Sequence, residues 1–161
     1  MAISLAHTAV CVPDVDAAVN WYQSAFGFDV LSPPYRMEGE SIERDMGQLV
    51  PSPVVVKAAI LGFVAGDHVI EVIEYPSAPG AARASGVVTD TGITHVGAVC
   101  DDVEAERSRL VACGATALTA DVASVVGLRT AWVRDPFGVI WILLEKRHAD
   151  RPYWHQHAAL V

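Results

Sequence analysis

The 161-residue chain is short of cations and of cysteine. Lys and Arg number 11 against 19 Asp and Glu, for a formal net charge of −8. Phosphate neutralisation needs clustered Lys and Arg, so nucleic acid is excluded as an expected partner. No window of ~18 uncharged apolar residues occurs, so no membrane span is expected, although 52% of the chain is apolar. Three cysteines, Cys11, Cys100 and Cys113, form no CxxC and cannot all pair. They read as small buried hydrophobes, which fits a reducing cytoplasm. The opening MAISLAHTAV has no basic stretch before its apolar one, so no secretory signal is expected. The length is that of one domain, or of two half-domains sharing a core, and a small molecule is the default partner.

What the chain does contain is a duplication. With His7 set against His95, HTAVCVPDVDAA lies over HVGAVCDDVEAE. Asp14 then matches Asp102, Val15 matches Val103, and Gly27 and Gly114 follow at nearly equal distances. A repeated unit puts equivalent residues at symmetric places. The two histidines are therefore the first candidates for function.

Each copy reads β-α-β-β-β. Residues 3–12 are almost continuously apolar and predict a strand buried on both faces or facing a cavity. Pro13-Asp14 breaks it, Asp14 is a candidate N-cap, and a helix to Phe26 carries Val15, Ala18, Val19, Tyr22 and Phe26 on one face. Gly27 stops that helix. A strand begins at Asp29 and is expected to end at Pro33-Pro34, with residues 34–52 as a long polar loop. Val54–Phe63 and His68–Tyr75 predict a hairpin turned at Ala65-Gly66-Asp67. Residues 76–92 form the linker. In the second copy the expected elements are a strand at 93–100 and a helix from the Asp102 cap to Cys113, with Val103, Leu110 and Val111 inward. A short strand at 115–120 and a hairpin of Leu128–Arg134 with Val139–Lys146, turned at DPFG, complete it. The fold class expected is α+β, one domain over 1–161. It consists of two tandem βαβββ modules (about 3–75 and 93–147) forming a concave sheet around a shared cavity, with a tail at 148–161.

His7 and His95 each sit in an apolar strand. A strand histidine is ordinarily a satisfied core or surface residue, but equivalent histidines from a duplication can converge on one point. Imidazole is the commonest metal ligand and is neutral enough near pH 7 to bind a divalent ion. A carboxylate is the expected companion, and Glu71 lies in the apolar run GDHVIEVIEY. Alternation puts Val69, Glu71 and Ile73 on one face and Ile70, Val72 and Glu74 on the other, so only one of the two glutamates faces inward. Trp21, Trp132 and Trp141 read as packing rather than ligand stacking.

The repeated modules, the HTAVCVPDVDAAVNWYQSAFGF opening, THVGAVCDDVEA and the DPFG turn resemble the vicinal oxygen chelate superfamily over residues 3–147. Glyoxalase I, methylmalonyl-CoA epimerase, extradiol dioxygenases, fosfomycin-resistance enzymes and bleomycin-binding proteins belong to that group. The resemblance implies metal ligands at His7, Glu71 and His95, for an ion such as Zn, Ni, Co, Mn or Fe. The family's fourth ligand stands four residues after the turn glycine, where this chain has Ile142. Glu145 matches the family's second, non-ligand glutamate, unless a bulge shifts it. The missing carboxylate argues against dioxygenase and fosfomycin chemistry.

Proximity to glyoxalase I and the epimerases implies an isomerase or lyase. It would enolise a small, partly hydrophobic substrate next to a carbonyl, with Glu71 as the proton-moving group. Glu38, Glu40 and Glu43 are weaker candidates for that role. Ile73, Val99, Ile140, Ile142 and Leu144 are the expected apolar substrate contacts. The alternative is an antibiotic-like small-molecule binding protein, or a metal-free enzyme, using the same cavity. A cytoplasmic homodimer is the expected assembly.

Overall fold

The computed structural model describes residues 5–64, 68–81, 88–89, 91–125 and 127–146. The expected turn at 65–67, residues 3–4 of the first strand, most of the linker's second half and the tail at 148–161 lie outside the described residues. The chain divides into two compact units, Met1–Ala82 and Arg83–Val161. Each is α+β, built on a mixed sheet of the βαβββ kind.

In the first unit, β1 (Thr8–Cys11), β2 (Asp29–Glu38), β3 (Val55–Gly62) and β4 (Val69–Glu74) form one sheet in the order β1-β4-β3-β2. β1 runs parallel to β4 and the other neighbours are antiparallel. Helix α1 (Val15–Phe26) buries Val15, Ala18, Val19, Tyr22 and Ala25. Full burial of each large side chain among these contributes about 1.5–3 kcal/mol. Asp14 caps the helix by accepting from the Ala17 N–H at 3.0 Å. Gly27 ends it in the left-handed region, φ 69, where a side chain would be strained. The facing strand residues Val10, Ile70, Val72, Ala59 and Leu61 complete the core.

Three expectations change in this unit. β1 is an edge strand with Ala9 and Cys11 exposed, which sets aside the reading of a strand buried on both faces and leaves the other. β2 runs through Pro33-Pro34 to Glu38, with register shifts between Val30 and Tyr35. An edge strand tolerates proline because its missing N–H costs no ladder bond on the open side. The expected loop at 34–52 thus starts as strand, and Glu40–Met46 forms helix α2. The acids there have partners: Glu38 bonds Arg36, Glu40 bonds Arg44, and Glu43 accepts from Ser52 Oγ and the Val54 N–H.

In the second unit, β5 (Val96–Cys100), β6 (Thr116–Ala117), β7 (Ala123–Val125), β8 (Leu128–Arg134) and β9 (Ile140–Glu145) form a sheet ordered β5-β9-β8-β6, with β7 also pairing β8. Helix α3 (Val103–Ala112) is capped by Asp102, which accepts from the Glu104 and Ala105 N–H groups. Val103 and Leu110 are buried, whereas Val111 is 42% exposed, against expectation. Val111 stands 100° around the helix from Leu110, beyond the narrow stripe that Val103 and Leu110 define seven residues apart. The short strand at 115–120 narrows to β6, and β7 was not expected. All three β7 residues are exposed, so no apolar alternation marks it.

The DPFG turn is built on Asp135, which is 4% exposed. Its Oδ1 accepts from the Phe137 and Val139 N–H groups, and its Oδ2 from Trp141 Nε1 at 3.0 Å. Gly138 takes φ 91, a conformation that favours glycine. Trp141 is thereby packed as expected, fully buried beside the turn.

Candidate functional site

Strand alternation decides which side chains leave the helix-covered face. In the first unit Ala9 pairs with Glu71, and Glu71 with Ile60, so the three share the face away from α1. His7, one residue before β1, falls on that face with Ala9 and Cys11. Its Nε2 lies 3.4 Å from Glu71 Oε2. The Glu71 side chain is 17% exposed and that of His7 44%. Glu71 is thus a mostly buried carboxylate whose cross-strand neighbours on this face are apolar. Such a group is costly unless a cation, a donor or a metal meets it, and the His7 imidazole is the partner here. Two donor atoms about 2.0–2.2 Å from one tetrahedral ion lie about 3.3–3.6 Å apart, so the pair's spacing fits a shared divalent ion and is longer than a well-formed hydrogen bond.

Glu74, three residues on, points to the opposite face and accepts from the Val15 N–H at 3.0 Å. It therefore serves the N-terminus of α1, where a carboxylate is favoured.

The second unit repeats this arrangement with one change. Glu145 accepts from the Val103 N–H at 3.3 Å and pairs with Arg129 Nη1 at 2.8 Å. It is the counterpart of Glu74, at the N-terminus of α3. The β8–β9 register runs without interruption from Ile140 to Leu144 and the β5–β9 register from Trp141 to Glu145, so no bulge turns Glu145 to the other face. Ile142 pairs with Gly97 on one side and Trp132 on the other. It stands where the first unit has Glu71, and Trp132 stands where the first unit has Ile60.

His95 precedes β5 by one residue, as His7 precedes β1. Its Nδ1 lies 2.6 Å from Thr94 Oγ1, and its ring meets Trp132 edge to face at 4.8 Å between centroids. Val99, Ile140, Ile142 and Leu144 share this face by alternation. Val99 is 45% exposed, Ile140 and Ile142 are half-buried, and Leu144 is buried. Ile73 lies on the matching face of the first unit, half-buried beside Cys11 and Ala58.

The structure thus joins His7 to Glu71 within one unit and sets His95 against Thr94 and Trp132 in the other. Among the described residues, no group of three or more His, Cys, Asp and Glu side chains is close enough to hold a metal ion by itself. Thr94 and Trp132 were not singled out from the sequence as partners of His95. The sequence repeat sets Thr94 against Ala6, whereas Trp132 and Ile60 correspond only through the strand registers.

Two of the three cysteines have thiols raised above their ordinary range. Burial, with the charges of Glu106, Glu145, Asp101 and Asp102 adding to it, pushes the Cys100 thiol up to about 12. The cysteines are not the buried hydrophobes expected, since Cys11 is exposed and Cys100 and Cys113 are half-buried; partial desolvation still raises the Cys11 thiol.

The family model described as Glyoxalase/Bleomycin resistance protein/Dioxygenase superfamily matches residues 4–143. No curated protein matches the sequence. Among solved structures, the chain is similar to a glyoxalase family protein from Bacillus cereus, with a TM-score of 0.78 at 21% identity over 90% of this chain and 95% of that one. It is also similar to glyoxalase I from Zea mays, with a TM-score of 0.63 at 19% identity over 92% of this chain. It spans only 46% of that enzyme's length. The trypanothione-dependent glyoxalase I of Leishmania major gives a TM-score of 0.60 at 18% identity, over 89% of this chain and 87% of that one. At these identities the likeness is one of fold.

Proposed function

We propose that this chain, which belongs to the Glyoxalase/Bleomycin resistance protein/Dioxygenase superfamily, is an isomerase or lyase. Its reaction is the movement of a proton next to a carbonyl of a small, partly hydrophobic molecule. The observation that carries this reading is the His7–Glu71 pair, a mostly buried carboxylate with an imidazole nitrogen 3.4 Å away on the helix-free face.

In this reading Glu71 takes the proton as the α C–H bond breaks and returns it to the same or the adjacent carbon, and His7 holds the carboxylate in place. A divalent ion bound by His7, Glu71 and His95 would supply Lewis acidity at the carbonyl oxygen. Ile73, Val99, Ile140, Ile142 and Leu144 contact the apolar part of the substrate. The working form is taken to be a cytoplasmic homodimer.

A second reading, a binding protein for a hydrophobic small molecule, is favoured by Ile142. An apolar residue there replaces a carboxylate at the position equivalent to Glu71. One experiment separates the two. Carbonyl compounds of the hemithioacetal and 2-substituted acyl thioester classes are incubated with the protein in D2O, and α-proton exchange is followed by NMR. The enzyme reading predicts exchange that Glu71→Gln slows by about 10²–10⁴-fold. Compounds that bind but never exchange would overturn it in favour of the binding protein.

A further inference from the structure

The two copies of the repeat treat their histidines differently. In the first, His7 follows Ala6 and turns its Nε2 to the Glu71 carboxylate. In the second, the place of Glu71 is taken by Ile142, and His95 follows Thr94. The only polar side-chain contact described for His95 is at its other nitrogen, Nδ1, 2.6 Å from Thr94 Oγ1. The two atoms are within hydrogen-bonding distance, and which of them donates depends on the tautomer of the ring. The edge-to-face contact with Trp132 at 4.8 Å limits the tilt of the same ring.

Which ring nitrogen of a neutral histidine carries the proton is set by the bond that the other one makes. We propose that Thr94 is the positioning residue of His95. Its hydroxyl oxygen accepts a hydrogen bond from Nδ1–H, so Nε2 carries the lone pair that His95 presents to a metal ion or a substrate proton. Trp132 holds the plane of the ring. Thr94 does in the second unit what Glu71 does in the first: it gives the histidine a fixed partner, here through the opposite nitrogen. A hydroxyl does this without adding charge beside an apolar neighbour. This assignment concerns the ring itself. Its link to metal binding rests on the reading proposed above.

The test is nitrogen-15 NMR of the histidine rings in the metal-free protein at a pH where His95 is neutral. Assignment comes from the spectrum of His95→Gln. In wild type, His95 is expected as the Nδ1–H tautomer. Thr94→Val, equal in shape but with no hydroxyl, should move it toward the Nε2–H form that dominates in water, and Thr94→Ser should restore the original form. Wild-type His95 found mainly as Nε2–H, or a tautomer unchanged in Thr94→Val, would overturn the assignment. Zinc titration of the same variants reads the link separately: Thr94→Val should weaken binding about 10–100-fold, as loss of a ligand's outer hydrogen bond does. A wild type that takes up no zinc would contradict the metal reading, while the tautomer result would still decide the role of Thr94.

Discussion

A single carboxylate shows how different the roles of one residue type are in this chain. Asp135 is nearly inaccessible and accepts three N–H groups, two from the backbone and one from Trp141. Asp135→Ala should therefore destabilise by about 2–4 kcal/mol, because it removes the acceptor of all three bonds. A denaturant midpoint unchanged by the substitution would contradict this. Tyr22 is fully buried on the inner face of α1. Tyr22→Asp should cost several kcal/mol in a thermal melt, through an unpaired buried charge.

Cys100 gives the pH dependence. Its thiol ionises in the unfolded chain near its ordinary value of 9.0, but in the folded chain only at about 12. The group's contribution to stability is thus fully present below about pH 9 and is lost as pH rises toward 12. At pH 8 Cys100 should resist alkylation by iodoacetamide while the unfolded chain reacts, as peptide mass mapping can show. Rapid labelling at Cys100 in the folded protein would contradict this.

At the scale of elements, the strands carry the account. Glu74 and Glu145 each reach the first N–H of a helix, and Glu71 and Ile142 each stand three residues earlier on the other face. A shift of three along a strand reverses the face, and the unbroken β9 register preserves this rule. Glu145→Gln should thus lower stability by about 1–3 kcal/mol, through its bonds to Val103 and Arg129, and leave metal affinity unchanged. Ile142→Glu should tighten zinc binding, because it restores a carboxylate at the position equivalent to Glu71, and should weaken apolar ligands. Calorimetry beside a melt reads both. Severe unfolding with no gain in zinc affinity would place Ile142 in packed core instead.

Much at this scale was legible from sequence. The caps Asp14 and Asp102, the stop at Gly27, the DPFG turn and the 128–134 strand follow from local chemistry. Neighbours, not local chemistry, decide what was missed. Pro33-Pro34 stays in a strand because that strand lies at a sheet edge. Val111 is exposed because α3 buries a narrow stripe. β7 is held by backbone pairing to β8 and not by an apolar pattern.

For the whole molecule, the duplication explains both units and their difference. Two copies of one βαβββ plan keep the same helix caps and the same histidine position. They diverge, among other places, at the strand position that holds Glu71 in one and Ile142 in the other. The resemblance to the family pattern after the turn glycine identified that divergence, and the internal repeat agreed with it. Neither identified Thr94 and Trp132, since partners at a pleated face are set by cross-strand register and by how a side chain turns. Family membership fixes the scaffold and leaves the reaction open, because one fold hosts many chemistries. The account therefore stands on the histidines and Glu71 and not on the fold.

The most direct test of that central claim is zinc titration by calorimetry of the full chain, purified without a histidine tag or added metal, beside His7→Ala, Glu71→Gln and His95→Ala. The account predicts about one ion per chain in wild type and a loss of affinity of at least about 100-fold in each variant, since a three-donor site has no spare ligand. Wild-type protein that binds no ion, or binding that any one of the three substitutions leaves intact, would contradict it.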